Sequence, residues 1–369
     1  MKKKIVSYLI LSIFVFGACK KDKKEEQENK FDRGQMLKNY AENLILPSYK
    51  DAQSALDTLI SNIDAFANNT TISNLENVQN SWVRAYSEWQ YAKIYNVGPA
   101  AEAGFNKSLD EEVSTFPVSS QKIDDILATN QFNQNDFNRD TRGFLAMEYL
   151  LFAGINVDNN SVLSLFQNQN FRKVYLKQCA LHIKSKIDNV TSKWESAYLA
   201  EFTQNQGTDV GSSTSQLYNE FVKSFETNKN FKIELPLGLR PGQTQSEPQL
   251  VEAYYSGLSI TFLKIHIQAI ENTYYGKSKN GAKGIGFIDY LKSVTGGTNL
   301  VESTLTQWSN VLSTLNVIPE STPLSELINS NPQIVDDFRL ELQKHTRFFK
   351  SDMSSLLGIA ITFSSGDGD

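Results

Sequence analysis

The chain has 369 residues, with 36 Lys and Arg against 41 Asp and Glu and a formal charge of −5. That balance excludes a basic nucleic-acid binder, while 40% hydrophobic and 11% aromatic content excludes a disordered chain and suffices for one large or two ordinary cores. Only three His and two Cys occur, so a Cys/His zinc site or a disulfide framework has no residues to build it, and any metal would lean on carboxylates or lone His residues.

The first 18 residues read as an export signal: Lys2, Lys3 and Lys4 precede the apolar stretch Ile5 to Phe16, which is too short to span a bilayer. Phe16-Gly17-Ala18-Cys19 has the form of a lipobox, with Cys19 the lipidated new N-terminus, although an aliphatic residue is commoner where Phe16 stands. Residues 19–34 are almost wholly charged after Cys19, cannot bury a core, and read as a solvated tether. Lys20 beside the anchor, with no Asp there, resembles lipoproteins sorted to the outer membrane of Gram-negative bacteria, facing the periplasm or the exterior. Cys179 is then a lone thiol, expected to be buried.

From Gln35 onward, apolar residues recur at helical spacing, so the class is all-α. Leu56, Leu59, Ile60, Ile63 and Phe66 form one stripe; Leu75, Val78, Trp82, Tyr86 and Trp89 form another behind the capping candidates Thr71 and Ser73. Further helices are expected over 120–128, 142–152, 162–198, 213–227, 247–275, 300–315 and 331–356. Only 231–235 and 359–363 look like strands, and each borders Gly or Pro. The polar, Gly- and Ser-rich stretch 201–216 is the best boundary between two helical bundles, 35–200 and 217–369. No repeat of solenoid length is present.

The helix around Gly143-Phe144-Leu145-Ala146-Met147-Glu148-Tyr149-Leu150-Leu151-Phe152 is apolar on every side except at Glu148. A buried carboxylate there must be paired, protonated or bound to a ligand, with Arg142 and Arg84 as the obvious partners, although an Arg84 to Glu88 surface pair worth a few tenths of a kcal/mol is the blander account of Arg84. In the second half, Glu247-Pro248 opens a long helix on which Glu252, Ser256, Ser259, Leu263 and His266 fall on one stripe, and a polar stripe on an apolar helix must meet polar groups, water or a ligand. His266 alone reads as a hydrogen-bonded core residue; His182 and His345, flanked by Lys and Arg, read as surface positions. Gly281 to Gly286 matches no nucleotide fingerprint and is an inter-helix loop. Gly366 to Asp369 lacks the ligand series of a calcium loop, and no Ser, His and Asp set has motif support.

Taken together, Thr141 to Phe152 resembles the GxHxxE signature of imelysin-like proteins. Trp82 to Pro99 resembles that family's Trp/Arg helix ending in Gly-Pro, Leu235 to Gly242 with Glu252 to Ser256 its central segment, and Leu357 to Asp369 its ending. The resemblance implies two helical bundles packed face to face, with the signature near a shared cleft, in a lipid-anchored or periplasmic protein of iron or haem acquisition. Its expected partners are an iron or haem species or an outer-membrane uptake receptor. The ligand-binding residues so indicated are Gly143, Glu148, Arg84, Ser256, Ser259 and His266. The family was named for peptidase activity; Gly143 and Glu148 keep the signature, but Leu145 stands where its His belongs and removes half of an HxxE metal pair. A metal-dependent peptidase and a non-catalytic scaffold lipoprotein are the alternatives.

Overall fold

In the computed structural model, residues 31–103 and 107–363 are described; the expected signal, Cys19 and the Gly366 to Asp369 tail lie outside the described residues. Helices make up 72% of the structure, with no strand among the described residues. The 3.6-residue period therefore decides the class: 231–235 belongs to a wide π turn, Asn228–Glu234, and the short helix after it, and 359–363 is irregular chain.

The chain opens with α1 (Arg33–Asn39), where the Asp32 carboxylate accepts the Gln35 N–H at 3.0 Å. A π turn, Tyr40–Ile45, leads into α2 (Leu46–Asn68), which has Pro47 at its start. The same order recurs at Asn228–Glu234 before Pro236. Proline lacks an N–H and crowds the carbonyl four residues back, and a wider turn makes room for its ring. Helix α3 (Ile72–Ala92) starts at the expected cap, the Thr71 hydroxyl accepting from Asn74 N at 3.4 Å. It packs along α2, burying Trp82, Tyr86 and Trp89 completely. Each such ring is worth about 1.5–3 kcal/mol or more of apolar burial, far above any surface ion pair.

The short helices α4 (Leu109–Ser114) and α5 (Ser120–Thr129) follow. Then come α6 (Gly143–Phe152), α7 (Asn159–Asn168) and α8 (Asn170–Lys193). The helix expected from 162 to 198 is thus interrupted at Gln169, whose backbone is extended (φ −134°) and ends α7 before α8 begins. Cys179, on α8, is buried and free.

The second half contains α9 (Leu199–Gln204), α10 (Ser213–Thr227), α11 (Leu235–Leu237), α12 (Ser259–Tyr275) and α13 (Phe287–Lys292). It ends with α14 (Gly297–Asn316), α15 (Leu324–Ser330), α16 (Pro332–Arg347) and α17 (Ser354–Leu357). Phe221, Phe225, Trp308 and Phe349 form its aromatic core around His345. Contacts at several points join the halves, among them the following. Phe262 of α12 packs edge-on against Tyr86 and Trp82 of α3, at 4.7 and 5.7 Å between ring centroids. From the N-terminal end, Asn39 donates to the carbonyls of Gly276 and Ile285, both at 2.9 Å, and the Tyr40 hydroxyl donates to that of Thr273 at 2.6 Å.

Candidate functional site

Helix α6 begins where only glycine fits. Gly143 has φ +81°, and a Cβ there would lie 2.3 Å from the Val113 carbonyl oxygen. The turn brings α6 against α3, where the Trp82 indole N–H donates to the Phe144 carbonyl at 2.9 Å. Five residues on, Glu148 is 1% exposed. Its Oε1 accepts both the backbone N–H and the hydroxyl of Ser256, each at 2.7 Å.

No cation among the described residues pairs with it. Arg84 is exposed on α3, and the Glu88 carboxylate pairs with Lys279. Arg142, 3% exposed, pairs at 3.0 Å with Glu112, which also takes Arg139 at 2.7 Å. Burial therefore pushes the Glu148 carboxyl up to about 8; the Ser256 bonds oppose the shift and the Glu252 charge adds to it. Burial without a paired cation among the described residues thus favours the protonated carboxyl at neutral pH. A cavity of about 20 Å³, room for roughly one water molecule, adjoins it and is lined by Leu145, Phe116, Val118 and Tyr254. Leu145 thus turns toward the same space as Glu148 and makes that space apolar.

A neutral Glu148 gives stability a definite pH dependence. The folded state keeps the proton up to about pH 8, whereas the unfolded chain releases it near the ordinary value of 4.5. Between these values the folded state binds more protons, so stability falls as pH rises, and is level above pH 8. Glu148→Gln resembles the protonated acid. It is expected to lie within about 1 kcal/mol of the parent at pH 5 and to gain on it steadily up to pH 8 in urea titrations. A deficit that grows with pH would mean an ionised, stabilising carboxylate.

Ser256 does not lie on a helix. The expected run from Glu247 is replaced by a 3-10 turn, Pro248–Leu250, and irregular chain up to Ser259. Ala253 (φ +55°) and Gly257 (φ +73°) turn the backbone left-handed, Glu148 captures the Ser256 N–H, and the Ser259 hydroxyl donates to the Glu252 carbonyl. The supposed polar stripe is therefore dispersed. Ser256 meets Glu148, Ser259 braces the loop, and His266 faces Ser224, with Nε2 2.7 Å from the hydroxyl.

Glu252 goes elsewhere, into a buried charge network that sequence reasoning missed. Its carboxylate pairs with Lys232 at 2.7 Å and Lys93 at 3.7 Å, and accepts from the Tyr86 hydroxyl at 2.6 Å. Lys232 also donates to Gln90 Oε1 at 3.0 Å, and Lys93 reaches Asp110 at 3.3 Å. Both lysines and Glu252 are at most 2% exposed at their side chains. Burial works against the Glu252 charge, yet Lys232 and Lys93 hold its carboxyl below the usual range. Lys232 is pushed down to about 8 by burial. Lys93 is raised, because Asp110 and Glu252 outweigh its burial.

Asp110 of this network also lines a cleft. A cleft of about 510 Å³ opens between Asp110 to Phe116 and Lys223 to Phe231, with the rings of Phe116, Phe231 and Phe363 in its wall. A narrower pocket of about 80 Å³, sharing Asp110, Glu111, Lys223 and Thr227, lies beside it and is lined by Lys93, Glu220, Ser224 and His266. His266 is fully buried, its pKa lies well below the usual value through burial and the two lysines, and its Nδ1 has no partner among the described residues. Among the described residues no three His, Cys, Asp or Glu side chains converge to hold a metal ion, so a resident catalytic metal has no donor set there.

The other two histidines are also buried, contrary to expectation. His182 and His345 are 5% and 0% exposed, and burial lowers them to about 4 and about 3. Successive helical residues are 100° apart, so the Lys and Arg neighbours occupy other faces of the same turns.

The Imelysin family model matches residues 45–337. The chain is 23% identical over 277 residues to the iron-regulated protein A of Synechococcus elongatus, covering 72% of this chain and 69% of that protein. Its fold is similar to that of a candidate iron-regulated protein A precursor from Parabacteroides distasonis, with a TM-score of 0.72, 17% identity, and 88% and 95% of the two chains covered. An imelysin-like protein from Psychrobacter arcticum aligns with a TM-score of 0.70 and 16% identity, over 90% and 97% of the chains. A match across most of the helical region, on a shared all-α fold, places this chain in the imelysin family.

Proposed function

We propose that this protein is a cell-envelope binding protein of iron acquisition, which takes an organic iron carrier, haem or a ferric chelate, in the seam cleft. The observation that carries the reading is the cleft itself. At about 510 Å³ it falls in the size range of small-molecule sites, with aromatic walls and convergent charged groups beside a buried network. Kinship with an iron-regulated protein supplies the iron context. The donor inventory favours a carrier over a bare ion, because no three metal-ligating side chains meet among the described residues, and iron would arrive already coordinated. Glu148 and Ser256 act here as a latch, fixing the loop that presents Glu252 to Lys93 and Lys232; Glu148 lines a separate small cavity that shares Phe116 with the cleft.

Cys19 would anchor the chain by lipid to the outer membrane, with the charged stretch after it as leash; partitioning into detergent that is lost in Cys19→Ser tests the anchor. Titration of the purified protein with haem, and separately with ferric citrate, tests the ligand. One of them is expected to raise the melting temperature in proportion to occupancy, with a Soret shift for haem. Phe231→Glu, at a side chain 46% exposed, is expected to weaken binding without loss of stability. No response to either compound would refute the reading.

A further inference from the structure

A second cavity, of about 640 Å³, shares no lining residue with the seam cleft; it lies between the loop 130–138 and helices α5 and α8. Six of the nine loop residues are Asn or Gln. The residues lining the cavity include five Asn or Gln, at 130, 131, 133, 138 and 178, and the aromatic Phe132 and Phe171.

An exposed amide-rich loop would ordinarily be a solvated connection, but this one is held in place from beneath. The buried Arg142 donates to the Asp136 carbonyl at 3.0 Å and approaches its carboxylate at 3.4 Å. The Asn138 N–H donates to Asp136 at 2.8 Å, and Lys122 bridges Asn138 and Asp140 at 3.2 and 2.8 Å. The rings are fixed as well. Both pack on Tyr175, at 4.5 and 6.4 Å between centroids, and Tyr175 is buried with its hydroxyl donated to the Thr141 carbonyl. The scaffold thus orders the two rings, and Asn130, Gln131 and Gln178 line the same cavity.

The chemistry of this wall selects a ligand class. A side-chain amide offers donor and acceptor together, the complement of a hydroxyl, and a fixed ring face covers an apolar patch with little entropy to lose. Anions are disfavoured: the wall contains Asp125 and Asp136, and its Lys122 is already committed to Asn138 and Asp140. A metal ion has no donor cluster among the described residues. What remains is a neutral, polyhydroxylated molecule with an apolar face. We propose that this cavity is a carbohydrate site, seating a neutral sugar unit against Phe132 and Phe171 with its hydroxyls on Asn130, Gln131 and Gln178.

The test is calorimetric titration of the full chain with neutral tetrasaccharides of glucose, mannose, xylose and N-acetylglucosamine. At least one is expected to bind, and Gln131→Ala and Gln178→Ala, both exposed substitutions, to weaken it about tenfold each, equivalent to about 1.4 kcal/mol. Melting temperature and the response to haem or ferric citrate should not change. Absence of binding across the panel at about 10 mM, equivalent to a free energy weaker than about −3 kcal/mol, or binding indifferent to both substitutions, would overturn the proposal.

Discussion

Glu252→Gln is expected to destabilise the protein by about 3–5 kcal/mol, although it preserves the shape of the side chain. The carboxylate is 1% exposed and serves two ammonium groups. Removing its charge leaves Lys93 with Asp110 as a partner but takes from Lys232 its only carboxylate among the described residues. An unneutralised ammonium in such a site costs several kcal/mol. Lys232, already lowered to about 8, can release its proton and so caps the loss. Two further measurements separate this account from a simple packing defect. The double variant Glu252→Gln with Lys232→Met should recover much of the loss, because the stranded charge is gone. The deficit should also narrow in acid. The Glu252 pKa is depressed on folding, so its contribution is present above the ordinary carboxyl range and is lost as pH falls through the folded value. A deficit that is independent of pH and unrelieved by the second substitution would contradict the ion-pair account.

Gly143→Ala should cost about 3 kcal/mol or more, from two effects that a control can divide. A left-handed backbone costs an L-residue roughly 1–2 kcal/mol, and the new methyl would sit 2.3 Å from the Val113 carbonyl oxygen, forcing α4 and α6 apart. Gly296 has the same φ of +81° with nothing within 4 Å of its Cβ position, so Gly296→Ala carries the backbone cost alone, about 1 kcal/mol. Equal urea midpoints for the two variants would show that contact with Val113 does not explain the glycine of the signature. A larger loss at 143 is the expected result, and with it a weakened Trp82 to Phe144 bond and a displaced Glu148.

These residues also show what can be read from sequence. The helical class, the Thr71 cap, the burial of Cys179 and the burial of Glu148 all follow from local pattern, because each depends on spacing within a few turns. The partners of Glu148 and Arg142 do not. Arg142 is the nearest cation in sequence to Glu148, yet Glu112, some thirty residues earlier, takes it. The helix from 247 fails for a related reason. Hydrophobic period registers side chains, but the Ser256 N–H is diverted to a carboxylate 108 residues away, and only Gly257 hints at the break. Lys93 and Lys232 look like ordinary surface lysines until the fold brings Glu252 and Asp110 to them. His182 and His345 mislead in the opposite direction, since charged neighbours in sequence say nothing of the face between them.

The central claim is that an iron carrier binds in the seam cleft, and amide hydrogen exchange with and without saturating haem or ferric citrate tests both its existence and its place. Slower exchange is expected in α4 and the chain up to Phe116 and over Glu220 to Phe231, the two segments that wall the cleft, with α14 to α16 unchanged. Protection confined to other elements, or exchange that neither compound alters, would contradict it.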